Sequence, residues 1–485
     1  MSIFEASILI SYFVVLTLLT LYGAHRFTIA YLYYRFRKAI PQTKILADEE
    51  QPHVTVQLPV FNERYVLKRL VESVVEFDYP KDRLEIQILD DSTDETQELG
   101  KELAETYKAQ GFDIVHLHRV DRTGYKAGAL AEGMKVAKGD LIAVFDADFV
   151  PPPDFLKKTT HPFENEEVGM VQVRWGHINR SYSFLTRAQA LFLDGHFVLE
   201  HVGRCYSGRF FNFNGTAGIW RKQCIEEAGG WQHDTITEDL DLSYRAQLAG
   251  WKFIYLPDIV APAELPVEMN AFRTQQHRWA KGSIETARKV LLRVLQSDLP
   301  RDVKTEAIFH LTGNLSYPLM VLLAILMPIS IMIRIQHNWH YTLVVDIPFL
   351  VGGTLPLLLF YTWSQKEIGA PWIRRGLLVP FALSLGVGIS LNNCKAVLEA
   401  LIGHKSEFTR TPKYNVTSKK SNWKAKLYKG HKTWLPYLEL LLGIYFSVAV
   451  VIVLQMGIFS TLPFLLMFQG GFLYVSLSSI LQRRA

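Results

Sequence analysis

The long apolar runs of this chain lie outside the window that holds most of its charge. They fall at 7–22 (extendable to about 34), 311–333, 343–363, 376–402, 435–456 and 459–481, while the charged residues crowd between 25 and 300. The overall figures, 49% hydrophobic and 20% charged, hide that division. A sequence so divided cannot bury all its apolar surface in one globular core. It reads as a soluble domain flanked by helices that use a lipid bilayer as solvent. The net charge of +5 is too small to indicate nucleic-acid binding, and no nucleic-acid partner is expected. The three cysteines, Cys205, Cys224 and Cys394, include no CxxC pair, so neither a disulfide framework nor a zinc site is expected.

Charge also suggests a topology. The start, MSIFEAS, carries no Lys or Arg, whereas Arg26, Arg35, Arg37 and Lys38 follow the first apolar run. That asymmetry makes 1–34 an anchor helix rather than a cleaved leader, with the next domain in the cytoplasm. The stretch from His404 to Lys432 holds nine Lys or Arg against Glu407 alone, so it too belongs inside. Six crossings would put it outside. The run 376–402 carries Asn392, Asn393, Lys395 and Glu399 and is therefore expected to lie as an interfacial helix. The expected order is two transmembrane helices in 306–364, that interfacial helix, a basic cytoplasmic segment over 403–434, and two more transmembrane helices in 435–481.

Residues 50–300 alternate between two periodicities. Short β-branched or apolar runs at 53–60, 84–89, 113–117 and 140–145 read as strands. Helical spacing appears at 64–76, from Ser92 onward, and at 127–138. Alternation at this pace implies an α/β domain with a mostly parallel sheet. In such sheets ligands bind beyond the carboxyl ends of the strands, and the acidic residues fall there. Asp90-Asp91 ends one strand; Asp146-Ala147-Asp148 follows another. Two carboxylates at i and i+2 on a strand exit can meet one hard divalent cation, Mg²⁺ or Mn²⁺, which also binds substrate phosphates. Arg122 and Lys126, in a glycine-containing turn at a helix start, supply positive charge for a phosphate, although an ordinary charged loop accounts for them equally well. Thr237-Glu238-Asp239 opens a helix. Capping and dipole complementation explain both carboxylates; alternatively Asp239 is a general base. Gln275 and Arg278 share a helix face and can bind a diphosphate, while Trp279 offers a flat ring to a sugar. An amphipathic helix at a membrane surface would contain the same residues.

In order and spacing, Phe61-Asn62-Glu63, Asp90-Asp91, Asp146-Ala147-Asp148, Thr237-Glu238-Asp239 and Gln275-x-x-Arg278-Trp279 resemble the signature of family 2 glycosyltransferases of the cellulose synthase-like branch. Leu89–Asp94, Gly124–Leu130, Phe213–Gly218 and Gln275–Trp279 are closer still to plant mannan and glucomannan synthase-like proteins (cellulose synthase-like A/C). The resemblance implies a GT-A fold and inversion at the anomeric carbon. It implies Asp90 or Asp91 at the nucleobase or ribose, and Asp146 and Asp148 on metal and diphosphate. Asp239 would be the base, with Glu238 beside it. Glu63, Arg122, Lys126, Gln275 and Arg278 would line the donor site, and Trp279, Gly215 and Thr216 the acceptor side. Phe408-Thr409-Arg410-Thr411-Pro412-Lys413 resembles the FxVTxK gating loop of cellulose synthases, with Arg410 in place of Val; Phe408, Arg410 and Lys413 would be its working residues.

The implied partners are a nucleotide-sugar donor (GDP-mannose or UDP-glucose), a glycan acceptor and the bilayer. The implied activity is growth of a β-linked polysaccharide coupled to export. A single-addition lipid transferase of the ceramide glucosyltransferase type carries a similar motif set and stands as the alternative. A non-catalytic channel or scaffold is the reading from a different class.

Overall fold

The computed structural model describes residues 1–405, 411–417 and 433–482. Seven strands form one sheet: β1 (Val54–Val60), β2 (Leu84–Asp90), β3 (Asp113–His118), β4 (Leu141–Val144), β5 (Val168–His177), β6 (Gly218–Arg221) and β7 (Lys252–Ala263). Their order is β3-β2-β1-β4-β6-β5-β7, and β6 alone is reversed. The sheet is thus mixed, and mostly parallel as expected. β1 and β2 are buried at every position, because helices cover both faces. The chain builds outward from β1 to β3 and then returns to lay β4 on the other side of β1. That reversal opens a crevice at the carboxyl ends of β1 and β4. Phe61–Glu63, Asp91 and Asp146–Asp148 all leave strands there.

The first helix, Ile3–Phe36, begins with a capping box made by Ser2 and Glu5. Five helical segments are long and apolar enough to cross a membrane: Ile3–Ala39, Arg301–Gln336, Asp346–Glu367, Leu435–Gln455 and Leu462–Gln482. The protein is therefore an integral membrane protein. The 376–402 stretch differs from the single helix expected. It forms Val379–Gly388 and Ser390–Leu401, bent by 47° at their junction, and counts as a sixth span only if the bent pair is taken as one. Composition explains the bend. The apolar first half packs on the helix Leu462–Gln482, where a Cβ on Gly388 would stand 2.2 Å from the Gly471 carbonyl oxygen. The polar second half turns to the helix Met269–Gln296, and the Asn392 amide donates to the Arg273 carbonyl at 3.1 Å. Asn392 and Asn393 are thereby buried against protein.

The helix Met269–Gln296 is a wall shared by the soluble domain and the membrane helices. On one side Arg273 pairs with Glu439 and donates to the Ser479 hydroxyl at 2.8 Å, in the two C-terminal spans. On the other side Gly282 lies against Thr237, so close that a Cβ would sit 2.9 Å from the Thr237 Cβ. Gly282→Val is expected to push Thr237 and the following acidic turn out of place. It should cost about 1–3 kcal/mol by overpacking and lower sugar transfer, read by thermal unfolding in detergent and by activity. A variant as stable and as active as the parent would show that the contact is slack.

Candidate active site

One cleft collects residues from widely separated parts of the chain. Its walls include Phe61, Glu63, Asp91, Arg122, Lys126, Asp146, Asp148, Glu238, Asp239, Gln275, Arg278, Trp279 and Lys413. Trp175, His177, Asn214, Glu264 and Thr411 also line it, and the motif reading left these out of the site. Trp175 and His177 end β5, a strand that the alternation of periods does not reveal. Asn214 lay in view, inside the Phe213–Gly218 motif.

Lys126 stands in the first turn of the helix Tyr125–Val136 and holds the centre together. Its ammonium donates to Asp146 Oδ1 at 2.5 Å and to the Gly215 carbonyl at 2.8 Å. Burial works against its charge, but Asp146, Glu238 and Asp239 raise its pKa above the ordinary lysine value. Gly215 has a positive φ of 82°, and a Cβ there would come within 3.0 Å of Asp239 Oδ2. A side chain at this position would be strained and would crowd the carboxylate. Asp239 follows the helix N-terminus Glu238 and accepts from the Leu240 amide at 2.8 Å. Burial and then the adjacent Glu238 carboxylate push the Asp239 carboxyl up to about 7. Burial also raises Glu238, with Lys126 opposing. The Arg278 guanidinium completes the group. Burial lowers its pKa, against the pull of Glu238, Asp146, Asp239 and Asp148.

Asp148 is 2% exposed. Its Oδ2 meets the Lys413 ammonium at 2.6 Å, and its Oδ1 is buried without a hydrogen-bond partner among the described residues. Lys413 belongs to the stretch 411–417, which is seated firmly. Tyr414 is buried and donates its hydroxyl to Glu268 at 2.9 Å, while Asn415 accepts from Arg69 at 2.6 Å. Phe408 and Arg410 lie outside the described residues. Two predicted residues stand behind the wall. Asp90 points into the sheet, where it accepts from the Ser92 amide at 2.8 Å and lies 2.9 Å from His116 Nε2. Thr216 is fully buried, and its hydroxyl accepts from the Asp146 amide at 2.9 Å. Asp91 does face the cleft, gripped by Arg119 through two bonds of 2.8 and 2.6 Å. Arg122 lies over the Phe61 ring, 3.3 Å from its centroid. The three cysteines are free and mostly buried.

A parallel-core α/β domain, acidic at its strand exits and built onto membrane helices, defines a membrane-borne domain of the GT-A type. Residues 52–282, just under half of the chain, match the family model described as glycosyltransferase-like family 2. The chain is 44% identical over 252 residues to glucomannan 4-beta-mannosyltransferase 1 of Oryza sativa subsp. japonica, covering 51% of this chain and 48% of that one. It is 38% identical over 351 residues to glucomannan 4-beta-mannosyltransferase 2 of Arabidopsis thaliana, covering 69% and 65%. The matches thus span between about half and just under two thirds of these relatives' own length. Among solved structures, the mannosyltransferase PcManGT from Pyrobaculum calidifontis, in complex with GDP-Man and Mn2+, superposes with a TM-score of 0.54 at 18% identity. It covers 81% of this chain and all of that one. At that identity the likeness speaks for the fold.

The Arg119–Asp91 pair is buried and forked, whereas Arg64–Glu95 leaves Glu95 74% exposed. Arg119→Leu is therefore expected to cost about 3 kcal/mol by stranding a buried carboxylate. Arg64→Leu should leave stability close to that of the parent, because water screens an exposed pair. Denaturant unfolding of both variants tests this; equal losses would show that Asp91 finds another partner.

Proposed function

We propose that this protein is an inverting, divalent-cation-dependent glycosyltransferase. It moves a hexose from a nucleoside-diphosphate sugar onto a growing β-linked polysaccharide of the β-1,4-mannan or β-glucan type. The names of its relatives favour mannose over glucose as the sugar moved. The cleft faces the cytoplasm, on the charge asymmetry around the first helix, and the product is exported through the membrane part.

The observation that carries this reading is Asp239: a half-buried carboxylate raised to about 7, in a cleft that also holds Lys126, Arg278 and Trp279. A carboxyl poised near neutrality is suited to general-base work. In the transfer, the acceptor oxygen forms a bond to the anomeric carbon as the bond to the donor phosphate breaks. Asp239 takes the hydroxyl proton, and the nucleoside diphosphate leaves. One base and one displacement invert the anomeric centre. Arg278 and Gln275 face the leaving diphosphate, and fixed charge there stabilises the transition state without reorganisation. Trp279 provides a stacking surface for the acceptor.

The carboxylates fit a resident Mg²⁺ or Mn²⁺. Asp148 Oδ1 is a buried hard oxygen without a partner, and both Asp146 and Asp148 are already met by ammonium groups. No group of three or more ligating side chains occurs among the described residues. That suits an ion held by Asp146 and Asp148 which takes its other ligands from phosphate and water. When bound, it supplies charge neutralisation of the leaving diphosphate. Lys413 pairs with Asp148 Oδ2 beside that place, so occupancy there would bear on the 411–417 stretch, the gating part proposed for it.

Asp239→Asn is expected to cut transfer by about 10²–10⁴-fold while donor binding persists. Wild-type kcat/KM should fall as pH drops through about 7, because the base then holds a proton. Undiminished transfer by the variant would remove Asp239 from this role. Membranes given labelled nucleotide sugars should make a long, β-glycanase-sensitive polymer, lost with EDTA and restored by Mn²⁺ or Mg²⁺. A lipid-extractable product of one sugar would favour the ceramide glucosyltransferase alternative. No transfer and no donor hydrolysis would favour the channel or scaffold.

A further inference from the structure

Behind Asn214 the helix Phe184–Asp194 passes into a π-turn, Gly195–Glu200, before continuing as His201–Tyr206. Such turns are rare and cost helix geometry. Here the turn has a definite result. In a regular α-helix, residues five apart point about 140° away from each other. The i→i+5 turn brings His196 and His201 to one side, with ring centroids 4.3 Å apart. Both reach the same side chain: Asn214 Nδ2 lies 2.9 Å from His196 Nε2, and Asn214 Oδ1 lies 2.5 Å from His201 Nε2.

The donor and acceptor roles follow from chemistry. An amide nitrogen only donates, so His196 Nε2 accepts and its proton sits on Nδ1. That Nδ1 faces Glu200 Oε2 at 3.2 Å and donates to it. Turning the Asn214 amide over would call for a proton on His196 Nε2, and a singly protonated ring would then leave two acceptors, Nδ1 and the carboxylate, facing each other. Glu200 therefore selects the amide orientation. Burial works against its charge, but Arg26 and Arg204 hold Glu200 well below the usual carboxylate range. Arg204 bonds it at 3.0 Å, and Arg26 pairs with its other oxygen from the first membrane helix. Burial holds His201 neutral. A second amide hydrogen of Asn214 remains, without a partner among the described residues, on a residue that lines the cleft next to Gly215 and Asp239.

We infer that His196, His201 and Glu200 are positioning residues that orient the Asn214 amide so that it donates its remaining N–H to a hydroxyl of the sugar substrate beside Asp239. This rests on the transferase reading of the cleft. Arg26 ties the arrangement to the membrane anchor, which makes the anchor part of the positioning.

The test is a double-mutant cycle on the full-length protein in membranes. Asn214→Ala should lower kcat/KM by about tenfold, the worth of one hydrogen bond realised in the transition state. His196→Ala should lower it by a similar factor. The double variant should be no worse than Asn214→Ala alone, because the histidine acts only through the amide. His196→Gln, which can still accept from Asn214 and donate to Glu200, should recover most of the activity. A generally structural histidine would instead give losses that add, no rescue by Gln, and a fall in thermal stability that tracks the fall in rate. Either that pattern, or an Asn214→Ala enzyme with unchanged kcat/KM, overturns the inference and leaves the transferase reading standing. A wild type that transfers no sugar overturns both. If His196→Ala does not fold, the cycle is run with His196→Phe, whose ring can neither accept from Asn214 nor donate to Glu200, and Asn214→Asp. The acidic side chain cannot donate and should then be as impaired as Ala.

Discussion

The cleft gathers Glu63, Asp91, Asp146, Asp148, Glu238, Asp239 and Glu264 into one small, largely buried space. Crowding that much negative charge away from water is the constraint on which the rest depends. Four cations make it tolerable, and each comes from a different element: Arg119 on Asp91, Lys126 on Asp146, Lys413 on Asp148, and Arg278 within the field of four carboxylates. The compensation is incomplete at Asp239, whose carboxyl is raised to about 7. A carboxyl that exchanges its proton near neutrality is the chemical yield of that shortfall, and it is what the proposed general-base role would use.

The same balance ties the soluble domain to the membrane. Arg278 sits on the helix Met269–Gln296, whose Arg273 is anchored to Glu439 and Ser479 in the last two spans. Glu200 leads from the cleft through Arg26 to the first span. His277, between Gln276 and Arg278, pairs with Glu399 at 3.1 Å on the polar half of the bent helix pair. Buried charges of this kind are costly unless every member is paired, so movement at one end is not energetically independent of the other. The cleft and the membrane helices are therefore built as one polar framework, which the proposed synthesis coupled to export would require.

Much of this was legible in order. The segregation of charge from apolar runs, the strands up to residue 145, the acidic strand exits and the Gln275–Trp279 helix could all be read from period and placement. β5, β6 and β7 could not, because β6 has only four residues and β5 and β7 pair over irregular registers. The 376–402 stretch was legible as unlike the other spans; that it is two helices, the polar one packed on the helix Met269–Gln296, was not.

By itself the amino-acid sequence determined which segments must avoid water, where strands alternate with helices, and which carboxylates leave strand ends. These follow from local periodicity and composition, which act over a few residues. Only the tertiary structure decided that Asp91 faces the cleft while Asp90 turns inward, that Lys413 meets Asp148, and that two histidines converge on Asn214. Those are contacts between groups up to 265 positions apart, from Asp148 to Lys413. They are settled by how the sheet, the π-turn and the shared helix pack, and no local pattern encodes them.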